Sequence, residues 1–174
     1  MTSARPTHGN GDPVALTWRE LRDPRVLLAT GLGCGFAPVA PGTVGSVLGA
    51  AIWWFVFADL DYTIRAAAAF AVFFFSVLVV ESAVKRYGLG DDRAIVLDEV
   101  IGMWFALLFM PKSILWVAAA FVLFRIADIV KPWPASWVDT RVTGGLGIMS
   151  DDLIAGMMAA VAALMAWYAM SGLP

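Results

Sequence analysis

Three stretches of the chain place charged side chains at the ends of long apolar runs. The stretches are GDDRAIVLDEV, FRIADIVKPWP and GGLGIMSDDLIAG, and their charged residues include Asp98, Glu99, Arg125, Asp128, Lys131, Asp151 and Asp152. Ionisable groups at membrane depth are costly, and they usually face a partner or a watery cavity. Clusters of carboxylates suit hard cations such as Mg²⁺. Acids that hold Mg²⁺, with an arginine and a lysine nearby, are typical of phosphoryl chemistry.

Each cluster also has a structural explanation. Asp98 and Glu99 can cap a helix N-terminus, because the helix dipole favours acids there. Arg125 and Asp128 can form an ion pair inside a helix bundle, although three ionisable groups within residues 125–131 weaken that explanation. A cap at Ser150 would place both following aspartates in the first turn of the last helix, and it would explain only one of them.

A fourth stretch, PGTVGS from Pro41 to Ser46, can supply backbone amides to an anion. The sequence predicts a helix N-cap at Thr43, and helix N-termini with exposed amides bind anions. The alternative is close helix packing through the small residues Gly42, Gly45 and Gly49. The two explanations are compatible, so Gly42 and Thr43 remain candidates for binding phosphate.

The composition indicates that these clusters lie in a membrane protein. The 174 residues are 60% hydrophobic and 15% charged, with a mean hydropathy of +0.78. Roughly a quarter of the residues of a soluble domain are charged. The net charge of −2 gives no support for nucleic-acid binding. The single cysteine, Cys34, excludes a disulfide framework within one chain.

The predicted fold is all-α, a compact helical integral membrane bundle of about four to five spans. A span needs about 20 mainly apolar residues, and the candidates are 43–60, 64–84, 95–110, 113–130 and 151–171. The third is short and begins with acids, so its status is open. We predict a short interfacial helix over 16–25, followed by a glycine- and proline-rich re-entrant or interfacial segment. Residues 1–15 are predicted to be a disordered tail, and 16–174 a single helical domain.

Basic residues predict the orientation of this bundle. Nine fall on one face of the predicted topology and two on the other, with Arg125 inside the fourth span. Cytoplasmic loops are enriched in lysine and arginine, so the nine mark the cytoplasmic face. Spans one, three and five then begin on that face, and the polar clusters converge there.

Four motifs in order, GCGFAPVAPGTVGS, IVLDEVIG, FRIADIVKPWP and GGLGIMSDDLIAG, are each similar to a signature of one family. The chain resembles the phosphatidylglycerophosphatase A family of bacterial inner-membrane lipid phosphatases over roughly residues 28–170. The resemblance implies a multi-pass inner-membrane enzyme that hydrolyses phosphatidylglycerophosphate to phosphatidylglycerol and phosphate, with Mg²⁺, on the cytoplasmic face. Ala127 stands where the family usually has an aromatic residue. The family's acidic and basic signature positions correspond to Asp98, Glu99, Asp128, Lys131, Asp151 and Asp152.

We therefore predict two groups of site residues. The predicted catalytic and metal-binding residues are Asp98, Glu99, Asp128, Asp151 and Asp152. The predicted phosphate-binding residues are Gly42, Thr43, Arg125 and Lys131. The attacking group is either a water activated by the metal or an aspartate that forms a phospho-enzyme, and the sequence does not choose between them.

Two other classes of function use the same residues. A small membrane transporter or ion-coupling subunit would spread its ionisable groups across the bilayer depth, whereas these groups cluster at one face. A structural membrane adaptor would use them only for topology and packing. The predicted partners are the membrane and the phospholipid substrate, with no nucleic acid. The sequence leaves open whether the chain forms a homo-oligomer.

Overall fold

A computed structural model of the chain describes residues 16–89 and 92–171. Within these ranges the chain is helical and contains no strand, which confirms the all-α prediction. The helices are α1 (Pro24–Ala29), α2 (Pro41–Ile52), α3 (Tyr62–Tyr87), α4 (Leu97–Ala106), α5 (Ile114–Val130), α6 (Ala135–Arg141) and α7 (Gly144–Ser171). A π-helical segment, Trp53–Phe57, extends α2. The predicted tail, residues 1–15, lies outside the described residues.

Two helices, α3 and α7, are long and apolar enough to cross a membrane, with 26 and 28 residues. At 1.5 Å per residue each is longer than the roughly 30 Å hydrocarbon core of a bilayer. Large apolar side chains such as Phe74, Phe75 and Leu78 on α3 are exposed at the surface of the bundle. A membrane bundle is therefore consistent with the structure, while the number of spans stays a prediction.

The predicted third span, 95–110, is a short helix at the centre of the bundle. α4 has ten residues, so it is about 15 Å long, half the thickness of the hydrocarbon core. Every residue from Val100 to Ala106 is buried. Hydropathy cannot distinguish side chains that face lipid from those that face protein. This apolar run is covered by the other helices, and its helix is too short to cross a bilayer alone.

Glycines allow the helices around α4 to approach closely. A Cβ atom added at Gly156 of α7 would overlap the carbonyl oxygen of Gly102 on α4, and one added at Gly49 of α2 would lie 2.7 Å from the carbonyl oxygen of Val100. Trp104 Nε1 also donates a hydrogen bond of 3.0 Å to the carbonyl oxygen of Gly49. This packing brings both α2 and α7 against α4.

The last helix begins earlier than predicted. α7 starts at Gly144, which has a φ of +75°, so Asp151 and Asp152 lie about two turns inside it. The predicted cap at Ser150 is therefore wrong. The glycines at the start serve packing: a Cβ atom at Gly145 would lie 2.5 Å from the backbone nitrogen of Glu81 on α3.

Two boundaries near the N-terminus also differ from the predictions. The N-cap of α2 is Ala40, with Pro41 at the first helical position, where its fixed φ suits a helix. Thr43 therefore lies within the first turn, and its predicted N-cap role is wrong. The predicted interfacial helix 16–25 is a 3₁₀ helix, Trp18–Arg22, followed by α1 from Pro24.

A buried arginine organises the end of the bundle where α3 begins. Arg65 donates hydrogen bonds to the carbonyl oxygens of Leu60 at 2.9 Å, Met110 at 3.1 Å and Ala58. Its guanidinium also lies over the rings of Trp53 and Tyr62, at 5.3 and 4.8 Å from their centroids. Each of its nitrogens has an acceptor, so this charge ties the segment before α3 to the segment between α4 and α5.

Candidate active site

One cavity of about 400 Å³ lies at the opposite end of α3, where α4 begins, α5 ends and α6 meets α7. Val84, near the end of α3, is separated from Arg65 by roughly 28 Å along the helix at 1.5 Å per residue. The charged residues that line the cavity are Asp98, Glu99, Asp128, Lys131, Asp139, Asp151 and Asp152. The cavity thus gathers acids from four different helices.

Three of these acids form a compact group that fits a cation. One carboxylate oxygen each from Asp98, Glu99 and Asp152 lies within 4.8 Å of the others. Asp98 Oδ1, Glu99 Oε2 and Asp152 Oδ2 are buried and have no hydrogen-bond partner among the described residues. Buried polar atoms normally have partners, and carboxylate oxygens are the ligands that Mg²⁺ prefers. The donor set therefore fits the predicted Mg²⁺.

The carboxyl groups are also close enough to repel one another. One oxygen each of Asp98, Glu99 and Asp152 lies within 4.8 Å of the others. Two carboxylates at such short range cannot both carry an uncompensated charge, so they need a shared proton or a shared cation. A divalent cation between them satisfies this requirement.

Arg125 links the acids to the beginning of α2. Its Nη1 lies 2.6 Å from Asp128 Oδ2 and donates a 3.3 Å hydrogen bond to Ser46 Oγ. A Cβ atom added at Gly42 would overlap Glu99 Oε1 and lie 3.3 Å from Arg125 Nη1. The absence of a side chain at Gly42 therefore lets Glu99 and Arg125 reach this point. Arg125 Nε is buried without an acceptor in the described part of the chain.

Lys131 holds two acids together at the end of α5. Its Nζ lies 2.6 Å from both Asp139 Oδ1 and Asp151 Oδ2. Burial acts to lower the pKa of Lys131, but the hydrogen bonds to Asp139 and Asp151 outweigh it, and the pKa is raised. The lysine therefore stays positively charged at neutral pH. Asp151 Oδ1, its other oxygen, is buried and has no partner in residues 16–89 and 92–171.

The structure brings most of the predicted site residues together. Six of them line the one cavity, and Gly42 and Arg125 adjoin Glu99. Thr43, one residue further along α2, is half-buried and does not line the cavity. Its phosphate-binding role stays a prediction without a contact to support it.

Sequence reasoning missed two acids that shape the site. Asp139 on α6 shares Lys131 with Asp151, and Glu81 on α3 accepts a 2.5 Å hydrogen bond from the backbone N–H of Gly145. The signal for Glu81 was an acid inside the apolar run FFFSVLVVESAV. Asp139 had a weaker signal, since a single acid after KPWPASW is typical of a solvated turn.

Comparison with known proteins gives one family and three relatives. A family model described as Phosphatidylglycerophosphatase A matches residues 27–167. The chain is 40% identical over 148 residues to phosphatidylglycerophosphatase A of Escherichia coli (strain K12), covering 84% of this chain and 86% of that protein. It is 34% identical over 142 residues to phosphatidylglycerophosphatase A of Haemophilus influenzae, covering 81% of this chain and 87% of the relative.

A third relative carries a different name. The chain is 38% identical over 138 residues to a putative phosphatidylinositol-3-phosphatase of Bacteroides thetaiotaomicron, covering 76% of this chain and 86% of that protein. No solved structure matches the chain. All the predicted site residues lie within the range that the family model matches.

Proposed function

We propose that this chain, which belongs to the phosphatidylglycerophosphatase A family, hydrolyses phosphatidylglycerophosphate to phosphatidylglycerol and inorganic phosphate. Two relatives that carry the family name align with the chain over more than four-fifths of their length. The structural observation that supports a phosphatase best is the group Asp98, Glu99 and Asp152, whose unpartnered buried oxygens share a cavity with Lys131.

The charge of the cavity supports a metal-dependent reaction. Among the described residues, six acids line it, whereas the bases at the site are Lys131 and the adjoining Arg125. A phosphate monoester would be repelled by this excess of negative charge. We assign Mg²⁺ to Asp98, Glu99 and Asp152, with Asp128 and Asp151 beside them. When bound, Mg²⁺ supplies positive charge that offsets the charge of the phosphoryl group.

The chain's own residues then orient the substrate and move the proton. Hydrolysis breaks the bond between phosphorus and the glycerol oxygen, an oxygen from water joins the phosphorus, and the released alcohol gains a proton. Lys131 fixes one oxygen of Asp151, and the other is free of partners in the described chain. We assign the free oxygen as the acceptor of the water proton. We assign Arg125, which is held by Asp128, to neutralise phosphate oxygens.

We further propose that the protein is a multi-pass protein of the bacterial inner membrane with its cavity on the cytoplasmic side. The cavity lies at the end of α3 that carries Lys85 and Arg86, and basic residues favour the cytoplasmic side. A transporter is less well supported, because its charges would continue through the bilayer. The buried charge at the other end, Arg65, has carbonyl acceptors for its nitrogens.

Phosphate release from phosphatidylglycerophosphate by the purified protein tests the proposal. We expect turnover with Mg²⁺ and none with EDTA, and we expect Asp151→Asn to abolish it. Asp59→Asn is the matched control, since Asp59 is an exposed acid paired with Lys112 away from the cavity. Phosphatidylinositol 3-phosphate and phosphatidic acid should be assayed in parallel, because one relative is named for a different lipid. Folded wild type without turnover on phosphatidylglycerophosphate would refute the proposal.

A further inference from the structure

An apolar groove runs along the outer surface of α7. Its volume is about 530 Å³, and the residues that line it are Pro134, Ile154, Met157, Met158, Val161, Ala162 and Met165. Several of these side chains are exposed, including Val161 at 59% and Met165 at 69%. α7 is long and apolar enough to cross a membrane. The groove is therefore open sideways to the hydrocarbon region of a bilayer.

Two short segments of the polypeptide, 131–134 and 151–154, connect this groove to the acid-rich cavity. Asp151 lines the cavity and Ile154, three residues later on α7, lines the groove. Lys131 lines the cavity and Pro134, three residues later, lines the groove. On α7, residues separated by three or four positions lie on the same face of the helix, and residues 131–134 form the short loop between α5 and α6. The groove thus begins beside the Lys131–Asp151 ion pair, whose atoms are 2.6 Å apart.

The length of the groove matches one leaflet of a bilayer. Ile154 and Met165 are separated by about 16 Å along α7 at 1.5 Å per residue. Half of the roughly 30 Å hydrocarbon core is about 15 Å. A chain that begins at the headgroup level beside Lys131 would therefore follow the groove to about the middle of the bilayer.

The groove and the cavity together fit one kind of molecule, a phosphate attached to a long hydrocarbon chain. Resting on the proposed function, we propose that the groove holds an acyl chain of the lipid substrate while the terminal phosphate lies in the cavity. Methionine side chains are flexible and adapt to irregular shapes, and three of them line the groove. This lining suits acyl chains that differ in length and unsaturation.

The first arm of the test compares two substrates in one kinetic assay. One substrate is long-chain phosphatidylglycerophosphate, and the other is its deacylated, water-soluble headgroup. Ala162→Trp fills the groove at an exposed position, and Ala71→Trp, at an exposed alanine of α3, is the matched control. We expect Ala162→Trp to lower kcat/KM for the long-chain lipid about tenfold and to leave the deacylated substrate unchanged. Ala71→Trp should change neither value.

The second arm locates the acyl chain directly. A phosphatidylglycerophosphate analogue with a photoreactive diazirine in its acyl chain is added to protein in phosphatidylcholine vesicles, and the adducts are mapped by mass spectrometry. We expect adducts within residues 154–165 that excess unlabelled phosphatidylglycerophosphate removes and excess phosphatidylcholine does not. Adducts spread evenly over α3 and α7, without competition, would show ordinary boundary lipid and overturn the proposal.

The outcomes distinguish a failure of the groove assignment from a failure of the proposed activity. If wild type hydrolyses both substrates and Ala162→Trp leaves both values of kcat/KM unchanged, the phosphatase stands and the acyl-chain groove is wrong. If the folded wild type releases phosphate from neither substrate, the proposed function fails and the groove assignment fails with it. Thermal unfolding of each variant in detergent verifies that the substituted proteins are folded.

Discussion

The buried charged groups at the two ends of α3 differ in whether they have hydrogen-bond partners. At the beginning of the helix, Arg65 is buried and donates to three backbone carbonyls. At the other end, acids from several helices meet around a cavity, and Asp98, Glu99, Asp151 and Asp152 each have a buried oxygen without a partner in the described chain. Every nitrogen of Arg65 has an acceptor, which stabilises the fold, and the one unpartnered buried side-chain atom beside it in the described chain is Trp53 Nε1. At the cavity four carboxylate oxygens lack partners, which is the pattern expected of a binding site.

The comparison separates stability from activity, because each end should affect only one of them. Leaving a buried hydrogen-bonding group unpaired is costly to the fold, so the Arg65 end should respond to substitution with lower stability. Close carboxylates repel one another, so removing a charge at the cavity should leave the fold intact while removing function. Each substitution below therefore requires two readouts, phosphate release and thermal unfolding.

Among the substitutions below, the largest effect should come from neutralising one acid of the group Asp98, Glu99 and Asp152. We expect Asp152→Asn to reduce kcat/KM for phosphatidylglycerophosphate by about a thousandfold or more, because it removes a metal ligand. The unfolding midpoint should stay the same or rise, since like-charge repulsion is relieved. Phosphate release and thermal unfolding measure the two effects. A variant that is less stable but keeps its activity would show that these acids have a structural role, as Arg65 does.

Substitution of Arg65 should give the opposite result. Arg65→Met leaves the carbonyl oxygens of Leu60, Met110 and Ala58 without donors, and we expect it to destabilise the fold by about 3 kcal/mol. The folded fraction should retain wild-type kcat/KM, because the cavity lies at the far end of α3. Arg65→Lys is the control. Its stability should lie between that of wild type and that of Arg65→Met, because lysine keeps the charge but lacks the planar fork of donors.

Gly42 tests how closely the site is packed. In Gly42→Ala the new methyl group would displace Glu99 Oε1 and crowd Arg125, and we expect kcat/KM to fall about tenfold to a hundredfold. Stability should be unchanged or slightly higher, because the displaced atom ends a flexible side chain and alanine is the better helix former by about 1 kcal/mol. Equal activity in the variant and in wild type would mean that the position of Glu99 is unimportant.

Asp139 should give the smallest effect. It is half-exposed, with 41% of its side chain accessible, and it is one of two carboxylates that hold Lys131. We expect Asp139→Asn to reduce kcat/KM about threefold to fivefold through looser placement of Lys131 and Asp151, with less than about 1 kcal/mol lost in stability. Asp139→Glu should recover part of the rate. A loss as large as that of Asp152→Asn would move Asp139 into the catalytic group.

Much of this arrangement could be predicted from the sequence because charge is rare in the chain. Among long apolar runs, Asp98, Glu99, Asp128, Asp151 and Asp152 stood out, and counting basic residues assigned them to one face. The Arg65 end gave no comparable signal, since its acceptors are backbone carbonyls that no motif reveals. Asp139 was missed for a related reason, because its contact with Lys131 depends on how α6 folds back.

The boundary errors have a common physical cause. The sequence predicts a cap at Ser150, whereas α7 begins at Gly144, and Gly145 lies within the helix and allows the close approach of Glu81 on α3. For residues 95–110 the sequence leaves open whether they span the membrane, and the structure shows that residues 100–106 are buried by neighbouring helices and that their helix ends at Ala106. In both places the structure depends on the neighbouring helices that the segment packs against. The composition of the segment itself does not reveal these contacts.

Metal binding tests the central claim most directly, that the unpartnered acids form a divalent-cation site. Mn²⁺ can replace Mg²⁺ as a paramagnetic probe, and its binding to the purified protein can be measured by electron paramagnetic resonance. We expect wild type and Arg65→Lys to bind Mn²⁺ saturably, with Mg²⁺ competing, and Asp152→Asn to lose this binding while remaining folded. Equal Mn²⁺ binding by wild type and Asp152→Asn, or none by folded wild type, would contradict the account.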